Sequence, residues 1–211
     1  MSKFITLWLS APMMSWGASS RSKHRDTHEF PTISAINGIL RASNGITRDQ
    51  PFNNEVISLD SFAFAKDHQI HQMSDYQNVG AAYKDKRYSP LNSSGKINSN
   101  NTQTYRSYLT NVKYGIIVEV SDDYNYSNLE APLFPVFLGR KKCIPDDKLF
   151  IGAFTSKNDA IKSIMEKQDE LKLIRSECDA DKIDNDCIMK NDVPVTQTQY
   201  TSRYVKLTHY E

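Results

Sequence analysis

The 211-residue sequence is poor in the features that mark membrane, secreted or strongly basic proteins. No apolar stretch approaches the roughly 20 residues that a membrane helix requires. The opening MSKFITLWLSAP is too brief and too mixed for a signal segment or a span, and reads as a first β-strand. Charge of one sign is also missing, since 26 Lys and Arg face 25 Asp and Glu for a net +1. A polyanion would therefore have to be met by a local patch, not by a whole-chain field. Cysteine is scarce. Cys143, Cys178 and Cys187 are odd in number and lack CxxC spacing, so free thiols in a reducing cytoplasm are the expectation. No spacing of ligand residues points to a metal or a cofactor, and neither is expected. No internal repeat occurs.

What is present fits one large α+β domain. Hydrophobic residues at 39% and aromatics at 10% are enough for a buried core. Phe4 to Leu9 alternate as a strand. Thr32 or Ser34 can cap a helix in which Ile33, Ile36, Ile39 and Leu40 recur at helical spacing, and Asn44-Gly45 ends it. A short helix is predicted near Asn54 to Leu59, then strands over 61–65 and 69–74. TYRSYLTNVKYGIIVEV and DKLFIGAFTS carry further strands. Ser156 precedes an amphipathic helix with Ala160, Ile161, Ile164 and Met165 on one face, and RYVKLTHY forms a terminal strand. The resulting order is β-α-(α)-β-β-flap-β-β, then β-α-β-β, the order of a ferredoxin-like unit with insertions.

Two segments lack any apolar period. SAPMMSWGASSRSKHRDTHEFP is a long polar loop, and residues 77–104 read as an extended hairpin or a mobile flap, too polar to order themselves alone. Both are basic and aromatic. From Lys84 to Lys113 six Lys or Arg face one acid, Asp85, with Tyr76, Tyr83, Tyr88 and Tyr105 among or beside them. From Lys157 to Asp192 the balance reverses, ten acids to seven cations. Cations for phosphates interleaved with aromatic faces for bases are what single-stranded nucleic acid requires. The stretch PVFLGRKKC adds a third basic segment. In it Gly139 lets the chain turn, Arg140 is the strongest phosphate candidate, Lys141 the next, and Lys142 points away. Trp16, between two methionines' worth of apolar chain and a glycine, suits a core aromatic and a channel wall equally.

In order along the chain, APMMSWG, RDTHEFPTISAINGIL, NGITRD, TQTYRSYLTNVKYGIIVEV and PLFPVFLGRKKCIP resemble the CasD family, the type I-E branch of the Cas-five proteins. The resemblance covers residues 1–155 well and 156–211 loosely. It implies a ferredoxin-like RNA-binding domain of the RAMP superfamily over 1–155, with a thumb hairpin inserted at about 77–104 and residues 156–211 completing or extending the domain. It also implies a role in the CRISPR Cascade complex. There the subunit would hold the 5′ handle of the CRISPR RNA, touch the large subunit and the first backbone subunit, and meet target DNA through the complex. Carried over by position, the RNA-binding candidates are Trp16, Gly17, Arg25, Phe30, Pro31, Thr32, Ser34, Arg106, Gly139, Arg140 and Lys141. The thumb candidates are Tyr83, Lys84, Lys86, Arg87 and Tyr88.

Relatives of type I-C cut precursor CRISPR RNA, which makes a metal-independent endoribonuclease the alternative. Such cleavage needs a base and an acid placed together. The only Lys-His pair is Lys23-His24, with His28 four residues on, and the two histidines read better as loop polar groups. The expectation is a clamp with no catalytic residue.

Overall fold

The computed structural model describes residues 3–17, 23–79, 91, 94–96, 102–168 and 170–210. In chain order the elements are β1 (Lys3–Leu9), β2 (Trp16–Gly17), β3 (His24–Arg25), β4 (Thr27–His28), α1 (Ile33–Ser43), β5 (Ser58–Ala65), β6 (His71–Val79), β7 (Thr102–Thr110), β8 (Lys113–Val120), β9 (Phe150–Phe154), α2 (Lys157–Lys167), β10 (Lys172–Asp179), β11 (Cys187–Pro194) and β12 (Tyr200–His209). Seven strands make one antiparallel sheet in the order β11-β12-β10-β5-β8-β1-β9.

Strand alternation sorts the core into two layers. Ile5, Leu7 and Leu9 of β1 point to the layer that also holds Ile33, Ile36, Ile39 and Leu40 of α1. Trp8 points the other way, with Phe62, Phe64, Ile117 and the Ala160 and Ile164 of α2. Ile161 and Met165 pack half-buried against that second layer, as their spacing predicts.

The ends of α1 follow its sequence signals. Thr32 caps the start, its hydroxyl accepting from the Ala35 amide at 3.2 Å. At the far end Gly45 takes φ +69, its amide bonding Ala42 O at 3.1 Å while Ile46 N bonds Arg41 O at 2.9 Å. That pair is a Schellman closure, which requires the left-handed residue glycine supplies most cheaply. Ser156 does precede α2, but its side chain makes no capping bond.

The short helix expected over Asn54 to Leu59 does not form. That segment runs without regular structure until β5 begins at Ser58. Its backbone is satisfied from outside, since Asn37 of α1 donates to Asn53 O at 3.1 Å and accepts from the Glu55 amide at 2.9 Å. Local side-chain bonds of this kind compete directly with a helical ladder. The polar loop after β1 is also not structureless. It pairs Met14 with Leu109 and folds into β2, β3 and β4.

Candidate nucleic-acid interface

Beside the main sheet lies a smaller one, in the order β3-β7-β6. β6 and β7 form a hairpin arm in continuous register from His71↔Thr110 to Val79↔Thr102. β3 adds to the other edge of β7, parallel, as His24↔Tyr105 and Arg25↔Arg106. The register divides the small sheet into two faces.

On one face Tyr105 stacks on His24, with ring centroids 4.9 Å apart and planes 7° from parallel. Tyr76, directly across from Tyr105, lies 5.3 Å away and tilted. Tyr76 is 50% and Tyr105 40% exposed, so solvent reaches an aromatic platform that a core would bury. Lys23 and Arg25, both exposed, adjoin His24 in the chain, with Arg25 in register with Arg106 of the opposite face. The opposite face carries Thr104, Arg106 and Tyr108. Among the described residues, Thr104 Oγ1, Arg106 Nε and Tyr108 OH have no hydrogen-bond partner, nor does Nη1 of Arg140 beside them.

Of the residues singled out from the sequence, several serve to build the surface instead of forming it. Trp16 is 0% exposed and Phe30 3%, so neither side chain offers a face to a ligand. Both pack edge-on against Tyr114, at 6.0 and 5.9 Å. The core reading of Trp16 is the one the structure supports. Pro31 and Thr32 are buried as well, Thr32 as the helix cap. Gly17 and Ser34 remain accessible and border a cleft of about 1090 Å³ between α1, residues 135–139 and the β11–β12 hairpin. His28 lines the same cleft, and burial, aided by the Lys190 charge, holds its pKa below the ordinary histidine value.

The 138–143 loop departs most from expectation. Gly139, with φ +94, does turn closely, but against protein. A side chain there would place its first carbon 1.6 Å from the Ser15 carbonyl oxygen. Arg140 is half-buried and faces inward, donating to Arg25 O at 2.8 Å. Lys141 is exposed, whereas Lys142 leans 3.9 Å from the Asp75 carboxylate. Lys141 and Lys142, not Arg140, are therefore the accessible cations of this run. Tyr83, Lys84, Lys86, Arg87 and Tyr88 lie outside the described residues, as does most of 77–104.

The sequence reading missed two features. The His24–Tyr105–Tyr76 platform needed the strand register to assemble it. A buried charge network also joins β10, β11 and β12 to α1. Arg203 bonds Asp192 at 2.8 and 3.0 Å, Glu177 at 3.1 Å, and Asp179. Lys190 bonds Glu177 at 2.6 Å, and Asp192 accepts from the Ile33 amide at 3.3 Å where α1 starts. Burial raises the Glu177 pKa, partly countered by Lys190. For Arg203 burial works downward, but the Asp192 and Asp179 carboxylates prevail and hold it above its ordinary value. The signal was charged residues at alternating strand positions, two acids at 177 and 179 and an opposed pair at 190 and 192.

Among the described residues no three His, Cys, Asp or Glu are grouped to hold a metal, and no helix is long and apolar enough to cross a membrane. The arrangement suits ligand binding by stacking and charge. Among solved structures, one titled "CRISPR RNA-guided surveillance complex" superposes with a TM-score of 0.75 at 21% identity, covering 98% of this chain and 89% of that one. A second, "Crystal structure of Cas protein", gives 0.63 at 19% identity, covering 98% and 94%. Both speak for the mixed, strand-rich fold with two helices. By sequence the chain is 28% identical over 168 residues to the "CRISPR system Cascade subunit CasD" of Escherichia coli (strain K12), covering 72% of this chain and 71% of the relative. The family model described as "CRISPR-associated protein (Cas_Cas5)" matches residues 4–206, nearly the whole length, and the chain belongs to that family.

Proposed function

We propose that this chain is a non-catalytic RNA-binding subunit of a type I-E Cascade surveillance complex, gripping the 5′ handle of the CRISPR RNA in antiviral defence. In that role it bridges the large subunit and the backbone subunits and meets target DNA through the complex, in the cytoplasm. The observation that carries the reading is the solvent-exposed His24–Tyr105–Tyr76 platform, with the exposed cations Lys23 and Arg25 on either side of His24 in the chain. Stacked bases need such a face, and their phosphates need such neighbours. Similarity to a Cascade subunit supplies the biological setting.

The same reading treats the β6–β7 hairpin as the base of a thumb and the 1–155 part as ferredoxin-like. Supporting it, β9, β1, β8 and β5 stand side by side with α1 crossing from β1 to β5, as in a 4-1-3-2 sheet. The departure is α2, which follows β9 instead of preceding it. Residues 156–211 then extend the unit, since β10, β12 and β11 continue its sheet beyond β5.

Within a purified complex, Tyr105→Ala is expected to weaken RNA binding about tenfold, the loss of roughly 1–3 kcal/mol per stacked base. The slope of log affinity against log salt should stay unchanged, because no charge is removed. Wild-type protein should co-purify with small RNA of uniform 5′ sequence, and repeat RNA should stay uncut in EDTA. Accumulating site-specific product would instead establish the endoribonuclease, with Lys23, His24 and Tyr105 as its first suspects. RNA-free wild-type complex at physiological salt would remove the clamp reading.

A further inference from the structure

The loop after Gly139 reaches every strand of the small sheet. From it, Arg140 donates to the Arg25 carbonyl of β3 and sets its guanidinium 4.7 Å from the centroid of the Tyr108 ring on β7. Lys142 approaches Asp75 of β6. Tight anchoring lies beneath, with Ser15 N bonding Leu138 O at 3.2 Å and Cys143 N bonding Arg140 O at 2.8 Å.

β3 needs such help. It is two residues long and, among the described residues, sits at the sheet edge and pairs with β7 alone. The bond from Tyr105 N to Lys23 O, 2.8 Å, belongs to that short ladder. Backbone hydrogen bonds contribute about 1 kcal/mol each, too little to hold an exposed dipeptide against the entropy of fraying. Yet β3 supplies His24 to the aromatic platform and carries Arg25.

We infer that Arg140 is a positioning residue for the RNA interface. It clasps the β3 backbone through the Arg25 carbonyl, seating His24 on Tyr105, and does not itself hold a phosphate. The inference rests on the RNA-binding reading above. Arginine suits the task because one planar group can stack on a ring and donate from its edge at once.

The test uses the full chain in its complex and a labelled single-stranded RNA oligonucleotide, titrated at several salt concentrations. Arg140→Met removes donor and charge, whereas Arg140→Lys keeps the charge without the planar fork. Tyr108→Leu removes the stacking surface and no charge, and it stands in should Arg140→Met fail to fold. All three are expected to weaken binding about tenfold with the salt slope unchanged. In the isolated chain the His24 ring-proton NMR signals should shift as the ring leaves Tyr105, which a general loss of stability would not produce. A slope shallower by about 0.7 in Arg140→Met, restored in Arg140→Lys, with His24 signals unmoved, would mean a direct phosphate contact and overturn the inference. Unchanged binding with unmoved His24 signals overturns it as well. Wild-type failure to bind RNA would strike the underlying reading, while the His24 signals still decide whether the clasp exists.

Discussion

Gly139→Val should lower the melting midpoint by roughly 6–12 °C and abolish RNA binding along with it. The backbone at Gly139 has φ +94, which costs a side-chain-bearing residue about 1–2 kcal/mol or more, most of all a β-branched one. The contact is worse than the torsion. A first side-chain carbon would lie 1.6 Å from Ser15 O and 2.7 Å from its carbonyl carbon, both backbone atoms that cannot swing aside. Relief requires lifting the loop, which breaks the Ser15 N–Leu138 O bond and uncovers Leu138 and Cys143, both 0% exposed. Together these effects reach about 3 kcal/mol or more, and 1 kcal/mol moves the midpoint of a domain this size by about 2–4 °C. Thermal melts of wild type and variant decide it. A normal midpoint with binding lost selectively would return the glycine to the RNA surface, where the sequence pattern alone places it.

That glycine shows where sequence reading stops. A glycine followed by three cations signals a close approach beside a basic surface, and the close approach holds. The pattern does not reveal what is approached. Ser15 lies 124 positions away by number, and no local period connects the two. Helix ends and core faces, by contrast, depend on neighbours three or four residues off, so Thr32, Gly45 and the isoleucines of α1 were legible. Trp16 illustrates the intermediate case. Its residue type suits a core and a stacking platform equally, and only the Tyr114 ring across the fold decides between them. The aromatic platform was half legible. Tyr76 and Tyr105 stood out among the cations, but their pairing follows from the β6–β7 register, and His24 joins through a parallel strand of two residues. The missed short helix failed for a similar reason, since the bonds that Asn37 makes to Asn53 and Glu55 come from another element.

Arg203→Ala should destabilise the fold by about 3–5 kcal/mol, the typical cost of removing one partner from a buried ion network. Arg203 is 9% exposed and binds three carboxylates, Glu177, Asp179 and Asp192. Without it, Lys190 is the remaining cation among the residues of that network. Two of the three acids also serve other elements. Asp192 accepts from the amide that opens α1, and Asp179 accepts from the Leu59 amide of β5 at 2.9 Å. The loss should therefore loosen the β11–β12 hairpin from the helix as well as from its own sheet. The pH dependence has a definite sign. Burial raises the Glu177 pKa in the folded chain above its unfolded value. Its favourable contribution is therefore complete below the ordinary carboxylate pKa and is lost as pH rises through the folded value. Removing the guanidinium takes away one of the charges that hold the Glu177 pKa down, so the deficit of Arg203→Ala should shrink between pH 7.5 and pH 5. Arg203→Lys, which keeps the charge but cannot reach three partners with one planar group, should fall between the two. Urea unfolding at both pH values measures each difference. A deficit under about 1 kcal/mol at pH 7.5, or one that grows on acidification, would mean that water already screens the network and that the hairpin is held by its apolar contacts alone.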